Sequence, residues 1–178
     1  SQFPSFYKDI SKTAIRQIYL SKSFHEVQEL HEIPIKKRVD ILSYLRQIAS
    51  AMPFLDTIYY YHEKSDQIFV TLKENQTIIQ HRELFYDKSF MNIISGYRNF
   101  ENFVPILRKK NSITQADPEV FVYTYLMYNR FPVDKLEFII ALNFSQEQFS
   151  EFLASRNTGL NTIQYAIDRY GEVKIGNG

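Results

Sequence analysis

Glu119-Val-Phe-Val-Tyr-Thr-Tyr-Leu-Met-Tyr128 and, seven residues further on, Leu136-Glu-Phe-Ile-Ile-Ala-Leu-Asn-Phe144 decide the fold. Both runs are rich in β-branched and aromatic residues, and Asn129 to Lys135 between them contains Pro132 and Asp134, which suit a turn. They read as an antiparallel hairpin. Phe121, Tyr123, Tyr125 and Met127 face one way, and Val122, Thr124, Leu126 and Tyr128 the other, so neither alternate set is polar. Phe138, Ile140 and Leu142 oppose Ile139 and Ala141 in the same manner. A strand pair apolar on both faces belongs in the middle of a sheet covered on both sides.

Outward from this hairpin, Phe54 to His62 and Gln67 to Thr71 read as two further strands joined by the polar turn Glu63 to Asp66. Leu72 to Leu84 is a polar connector that has room for a short strand at Thr77 to Gln80. Asp87 is placed to cap a short helix from Lys88 to Ser95, stopped by Gly96. Asn102 to Leu107 reads as a strand, with Pro105 arguing for an edge or a bulge, and Lys109 to Pro118 as a long loop. After the hairpin, Ser145 caps a helix carrying Phe149, Phe152 and Leu153. Thr162 to Ile167 and Glu172 to Ile175 form a last hairpin around Asp168-Arg-Tyr-Gly171.

The N-terminal third is helical. Phe3, Tyr7, Ile10, Ala14 and Ile18 recur at three- and four-residue steps and form one narrow stripe. Such a stripe is too thin for an independent core helix, so it docks on its own sheet or on a second protomer. Ser23 and Glu26 have capping-box spacing for a second helix through Leu30. Pro34 opens a third, whose expected buried face is Ile35, Val39, Leu42, Leu45, Ile48, Ala49 and Met52.

A chain of 178 residues suits one domain and buries ~70% of its unfolded surface without a disulfide or metal staple. With 21 basic and 20 acidic side chains, no global field favours nucleic acid or an anionic membrane. Lys36-Lys37-Arg38 and Arg108-Lys109-Lys110 lack the aromatic interleaving of a nucleic-acid surface. The absence of cysteine removes thiol chemistry but leaves the compartment open. No apolar run approaches the roughly 18 to 20 residues of a membrane span. His25, His31, His62 and His81 share no ligand spacing with a carboxylate, and Asp117 and Asp134 are turn residues. With no phosphate loop or nucleophile elbow, the sequence argues against an enzyme and calls for no cofactor or metal.

The order of long helix, second helix, hairpin, helical connections and antiparallel strands resembles the extracytoplasmic PAS-like, or double Cache, sensor module. Val39-Asp-Ile-Leu-Ser-Tyr-Leu-Arg-Gln-Ile48 followed by Asp56-Thr-Ile-Tyr-Tyr-Tyr61 looks like the helix-to-first-strand passage of such domains in Firmicute sensor histidine kinases and AraC-type regulators. Phe138-Ile-Ile-Ala-Leu-Asn143 with Ser145 to Leu153 resembles the last distal strand and its helix. The stretch from Ile163 through Asp168-Arg-Tyr-Gly171 resembles the hairpin that opens a membrane-proximal module.

The resemblance implies an α+β fold with a five-stranded antiparallel sheet ordered 2-1-5-4-3, helices packed on it mainly across one face, and a long N-terminal helix. It divides the chain into an N-terminal helical segment (1–33), a membrane-distal sensor module (34–158) and a closing hairpin (159–178), which either ends that module or starts a truncated second one. It further implies a site outside the membrane between two spans that flank this sequence, a non-covalent small-molecule ligand or a solute-binding protein as partner, and dimerisation through the N-terminal helix. In PAS-like folds the ligand lies between the sheet and the segments joining its second and third strands. That implies Tyr97, Arg98, Arg108, Tyr123, Tyr125 and Asn143 here. The amino-acid-binding pattern Tyr-x-x-x-x-Arg-x-Trp-Tyr with a later Asp is not kept: there is no Trp, Asn102 lies five residues beyond Tyr97, and Asn143 stands where the Asp is expected. Two rivals remain, a purely structural dimerisation module and an intracellular PAS- or GAF-like domain.

Overall fold

The computed structural model describes residues 5–72, 76–113, 119–157, 164–167 and 173–176. Phe3, Asp117, Pro118 and the turn at 168–171 lie outside these, as do the side chains of Phe152 and Leu153. Three helices come first, α1 (Ser5–Leu20), α2 (Lys22–Val27) and α3 (Ile35–Ser50), followed by strands β1 (Leu55–His62), β2 (Gln67–Thr71) and β3 (Thr77–His81). Then come α4 (Lys88–Ser95), β4 (Ile106–Asn111), β5 (Glu119–Tyr128), β6 (Phe138–Ser145) and α5 (Gln146–Asn157). A short pair, β7 (Gln164–Ile167) and β8 (Val173–Gly176), forms a separate two-stranded sheet.

The large sheet is antiparallel and six-stranded, in the order β3-β2-β1-β6-β5-β4, rather than five-stranded in the order 2-1-5-4-3. The difference comes from Thr77 to His81, which pairs with β2 from Gln67↔His81 to Thr71↔Thr77 and adds an edge. Its half-exposed Ile78 and Ile79 face the two opposite sides of the sheet, an edge pattern that polar neighbours hide in the sequence. The β5–β6 hairpin occupies the interior as expected, paired from Val122↔Ser145 to Tyr128↔Ile139, with β6 also bonded to β1.

Period-two alternation along these strands divides the core into two layers. Tyr60, Tyr123, Tyr125, Ile140, Leu142 and Phe144 face α1, α2, α3 and Phe149 of α5. Tyr59, Ile68, Leu126, Ile139 and Ala141 face Phe85 and the Phe90, Ile93 and Ile94 side of α4. β4 starts later than Asn102 to Leu107 and replaces the first part of the expected loop. Phe103 has φ of 64° and donates its N–H to the Leu126 carbonyl, while the Asn102 side chain bonds both the N–H and the carbonyl of Tyr128. Those bonds hold 102–105 as a turn against the end of β5, and the strand begins only after Pro105.

The helical layer corrects three local expectations. Ser21, not Ser23, caps α2, its Oγ accepting from the Phe24 N–H at 3.2 Å. The inner face of α3 is Ile41, Leu45 and Ile48, with Leu42, Ala49 and Met52 packed against it as expected, but Ile35 and Val39 in its first half are 77% and 58% exposed. On α1 the buried stripe runs through Tyr7, Ser11, Ala14, Ile15 and Ile18. It lies on this chain's own sheet, the first of the two dockings allowed for it.

His62 ties the helical layer to the β1–β2 turn. Its Nε2 lies 2.8 Å from the Val27 carbonyl, which can only accept, so Nε2 carries the proton and Nδ1 accepts from the Ser65 N–H at 3.1 Å. Burial pushes its pKa below the usual 6.5, against the opposing pull of the Val27 carbonyl and Glu63. Glu63, Lys64 and, after α2, Glu29 are the charged neighbours. A depressed histidine costs nothing above 6.5 and destabilises as pH falls, because the unfolded chain takes up its proton first. Melting curves from pH 7 to 5 are expected to fall more steeply for wild type than for His62→Gln; parallel curves would show that His62 is not the cause.

Candidate functional site

A buried polar centre lies on the α4 side of the sheet, where β4, β5, β6 and β1 present Arg108, Thr124, Asn143 and Thr57 in turn across the strands. Arg108 is 9% exposed, and each of its three guanidinium nitrogens is engaged. Nε donates to Thr124 Oγ1 at 2.8 Å, Nη2 to Asn143 Oδ1 at 3.0 Å, and Nη1 to Ser89 Oγ and to Asp87, 2.9 Å from Oδ2. Thr124 Oγ1 donates to Asn143 Oδ1 at 2.6 Å, and Asn143 Nδ2 to Thr57 Oγ1 at 2.8 Å. Asp87, at the start of α4, caps no helix N–H with its side chain. Its carboxylate instead accepts from the Tyr59 hydroxyl at 2.8 Å and from the Asn111 N–H. Burial, the neighbouring Tyr86 and the Asp87 charge all hold the Tyr59 phenol well above its ordinary pKa, so it stays a donor. Lys110, one alternation along β4, pairs with Asp56 at 3.0 Å.

This centre joins two of the six residues implied for a ligand, Arg108 and Asn143. Tyr123 and Tyr125 point to the opposite face, beneath α1. Tyr97 and Arg98 lie at the end of the sheet, in a cleft of about 490 Å³ shared with Tyr128, Arg130 and Asp134. There Arg98 donates to the Tyr97 hydroxyl at 3.1 Å and to the Asp134 carbonyl at 2.7 Å. The implied set thus occupies three places. Asp87, Thr124 and Ser89 were missed; the signal for Thr124 is that it is the one polar residue on its side of an otherwise apolar strand.

Two larger grooves border α1. One, of about 640 Å³, runs between α1 and α3 along Ile10, Ala14, Tyr44, Ile48 and Met52. The other, of about 540 Å³, separates α1 and α2 from the β5–β6 connection. Among the described residues no group of three or more His, Asp or Glu could hold a metal ion, and no helix is long and apolar enough to cross a membrane.

No protein-family model matches the chain, and no curated protein sequence does. Solved structures do match. The extracellular domain of the histidine kinase vpHK1S-Z8 aligns with a TM-score of 0.60 at 11% identity, over 90% of this chain and 59% of that one. The sensory domain of the Campylobacter jejuni chemoreceptor Tlp3 (CcmL), in a structure with isoleucine bound, aligns at 0.50 and 8% identity, over 83% and 55%. The chain therefore spans less than three fifths of the length of either domain. At such identities the likeness is one of fold, a fold found in the extracellular domain of a histidine kinase and in the sensory domain of a chemoreceptor.

Proposed function

We propose that this chain is a ligand-sensing, extracytoplasmic module of a bacterial membrane receptor, most closely of the sensor histidine kinase or AraC-type regulator kind, and not an enzyme. The observation that carries the reading is the architecture itself, a six-stranded antiparallel sheet with α1 laid across one face, whose fold aligns with the extracellular domain of a histidine kinase and the sensory domain of a chemoreceptor. Membrane spans would flank this sequence. A small solute or a solute-binding protein would act on the sheet, and α1 would carry the change to the membrane, with a second copy as its dimer partner. Only a ligand with different affinities for two packings of α1 transmits anything.

The six implied residues divide the ligand problem. Arg108 and Asn143 are already engaged by Asp87, by Thr124 and by each other, so a carboxylate ligand at the buried centre competes with Asp87, whereas Tyr97 and Arg98 border an open cleft. A thermal-shift screen of amino acids, organic acids, sugars and short peptides tests the reading. A ligand at about 100 times its dissociation constant adds ~2.7 kcal/mol, roughly 5 to 10 °C for a chain of this length. The apolar groove between α1 and α3 favours a second reading, a structural dimerisation module. Absence of any shift together with a concentration-dependent dimer in sedimentation would select it over the first.

A further inference from the structure

The groove between the N-terminal helices and the β5–β6 connection has a chemistry that the buried centre lacks. Arg16 of α1 and Arg130 of the connection both line it, both are exposed, and neither has an ion pair or hydrogen bond among the described residues. Arg38, Arg82, Arg98 and Arg108 are each engaged by a carbonyl, carboxylate, hydroxyl or amide oxygen, while Arg46 of α3, exposed and also without such a bond among the described residues, lies outside the groove. The same groove has an aromatic floor: the Tyr19 ring is 5.6 Å from Phe24 and 5.7 Å from Phe138, and Phe24 meets Phe138 edge-on at 4.9 Å. Phe131, 81% exposed, stands at the rim.

The polar residues in the walls are mostly spent on building them. Asn102 clasps the Tyr128 backbone, and Asn129 bonds the carbonyls of Phe131 and Lys135 and the N–H of Glu137. What is left for a ligand is aromatic surface and cationic charge. Glu137 is the one acid in the lining, so it and the two arginines together carry a net +1. A singly charged anion matches that balance, and a phosphate dianion does not. Guanidinium forks take a carboxylate in two parallel hydrogen bonds, and aromatic edges take a planar ring. About 540 Å³ lies within the range of ligand pockets, roughly 300 to 1,000 Å³.

We propose that this groove binds a small aryl carboxylate, its ring against Tyr19, Phe24 and Phe138 and its carboxylate between Arg16 and Arg130. Because one arginine is on α1 and the other on the sheet's hairpin connection, the anion bridges the N-terminal helix to the sheet. The inference deepens the sensing reading and rests on it only for the signal; binding itself does not depend on it.

Isothermal titration of the purified chain with 4-hydroxyphenylacetate, its neutral amide and inorganic phosphate tests the site. The acid is expected to bind at least about tenfold more tightly than either, and Arg16→Gln or Arg130→Gln to weaken it by about fivefold or more. Arg46→Gln, exposed on α3 and outside the lining of the groove, should leave its affinity unchanged. These are surface positions, and unchanged melting temperatures verify that the variants fold. Equal binding of acid and amide, indifference to Arg16 and Arg130, tighter binding of phosphate, or no heat at all with the acid would each overturn the assignment. A different solute that raises the melting temperature while the acid does not bind would overturn it too, yet leave the sensing reading in place.

Discussion

Asp87→Ala is expected to destabilise the chain by about 3 to 5 kcal/mol, the cost of removing one partner of a buried ion pair. The magnitude follows from what is left behind. The Arg108 side chain is 7% exposed and the Asp87 side chain fully buried, so no water replaces the lost carboxylate. The Tyr59 hydroxyl and the Asn111 N–H lose the same acceptor at once. Against a typical stability of roughly 5 to 15 kcal/mol, that is a large fraction of the whole. A charged pair in a protein interior is often no more stabilising than apolar residues of similar volume, so Asp87→Leu with Arg108→Met should recover much of the loss. Urea denaturation of the wild type, the two singles and the double completes the cycle. A cost below about 1 kcal/mol for Asp87→Ala would show that water reaches Arg108, and the centre would then be a solvated cleft instead of a closed polar core. In the Asp87→Ala background, added acetate reports whether Arg108 accepts an outside carboxylate: stabilisation of the variant but not of wild type would mark the centre as ligand-competent.

The two-sided apolarity of Phe121 to Tyr128 and of Phe138 to Phe144 made the centre of the sheet legible, because burial on both faces removes the polar half of a strand's alternation. The edges were harder to read for the converse reason. Thr77 to His81 is half-exposed along its length, so its composition is that of a connector, and only pairing with β2 makes it a strand. Arg108 and Lys110 belong to a short basic run that carries no motif, yet alternate positions of β4 point inward to Asp87 and Asp56, two carboxylates far away in sequence. The same parity separates the residues implied for a ligand. Thr124 opposes Asn143 and Tyr123 opposes Phe144, so Asn143 shares a face with Thr124, and the flanking tyrosines cannot join it. Side-chain parity was readable from the strand itself. Which partner residue stands opposite is a matter of register, which depends on the whole hairpin. The groove at Arg16 and Arg130 gave no signal, because two single arginines 114 positions apart form no motif.

Tyr7→Ala should cost about 3 to 5 kcal/mol and Ile15→Ala about 2 to 5, and both losses should appear first in α1. Tyr7 is 2% exposed and meets Phe144 of β6 and Phe149 of α5 edge-on at 5.1 and 4.4 Å, while Ile15 is fully buried. Among the described residues α1 gives the sheet no backbone hydrogen bond, so side-chain packing is what fastens it. A 16-residue helix with one thin apolar stripe is marginal on its own in water. Once undocked, it should therefore also fray. Native-state hydrogen exchange should show the α1 amides of Tyr7→Ala opening at lower free energy than those of β5 and β6. If α1 instead exchanges together with the central strands in both variants, it belongs to a single cooperative unit with the sheet. It would then have no separate docked and undocked populations for a ligand to shift, and transmission through α1 would have to be a rigid-body movement of the whole module.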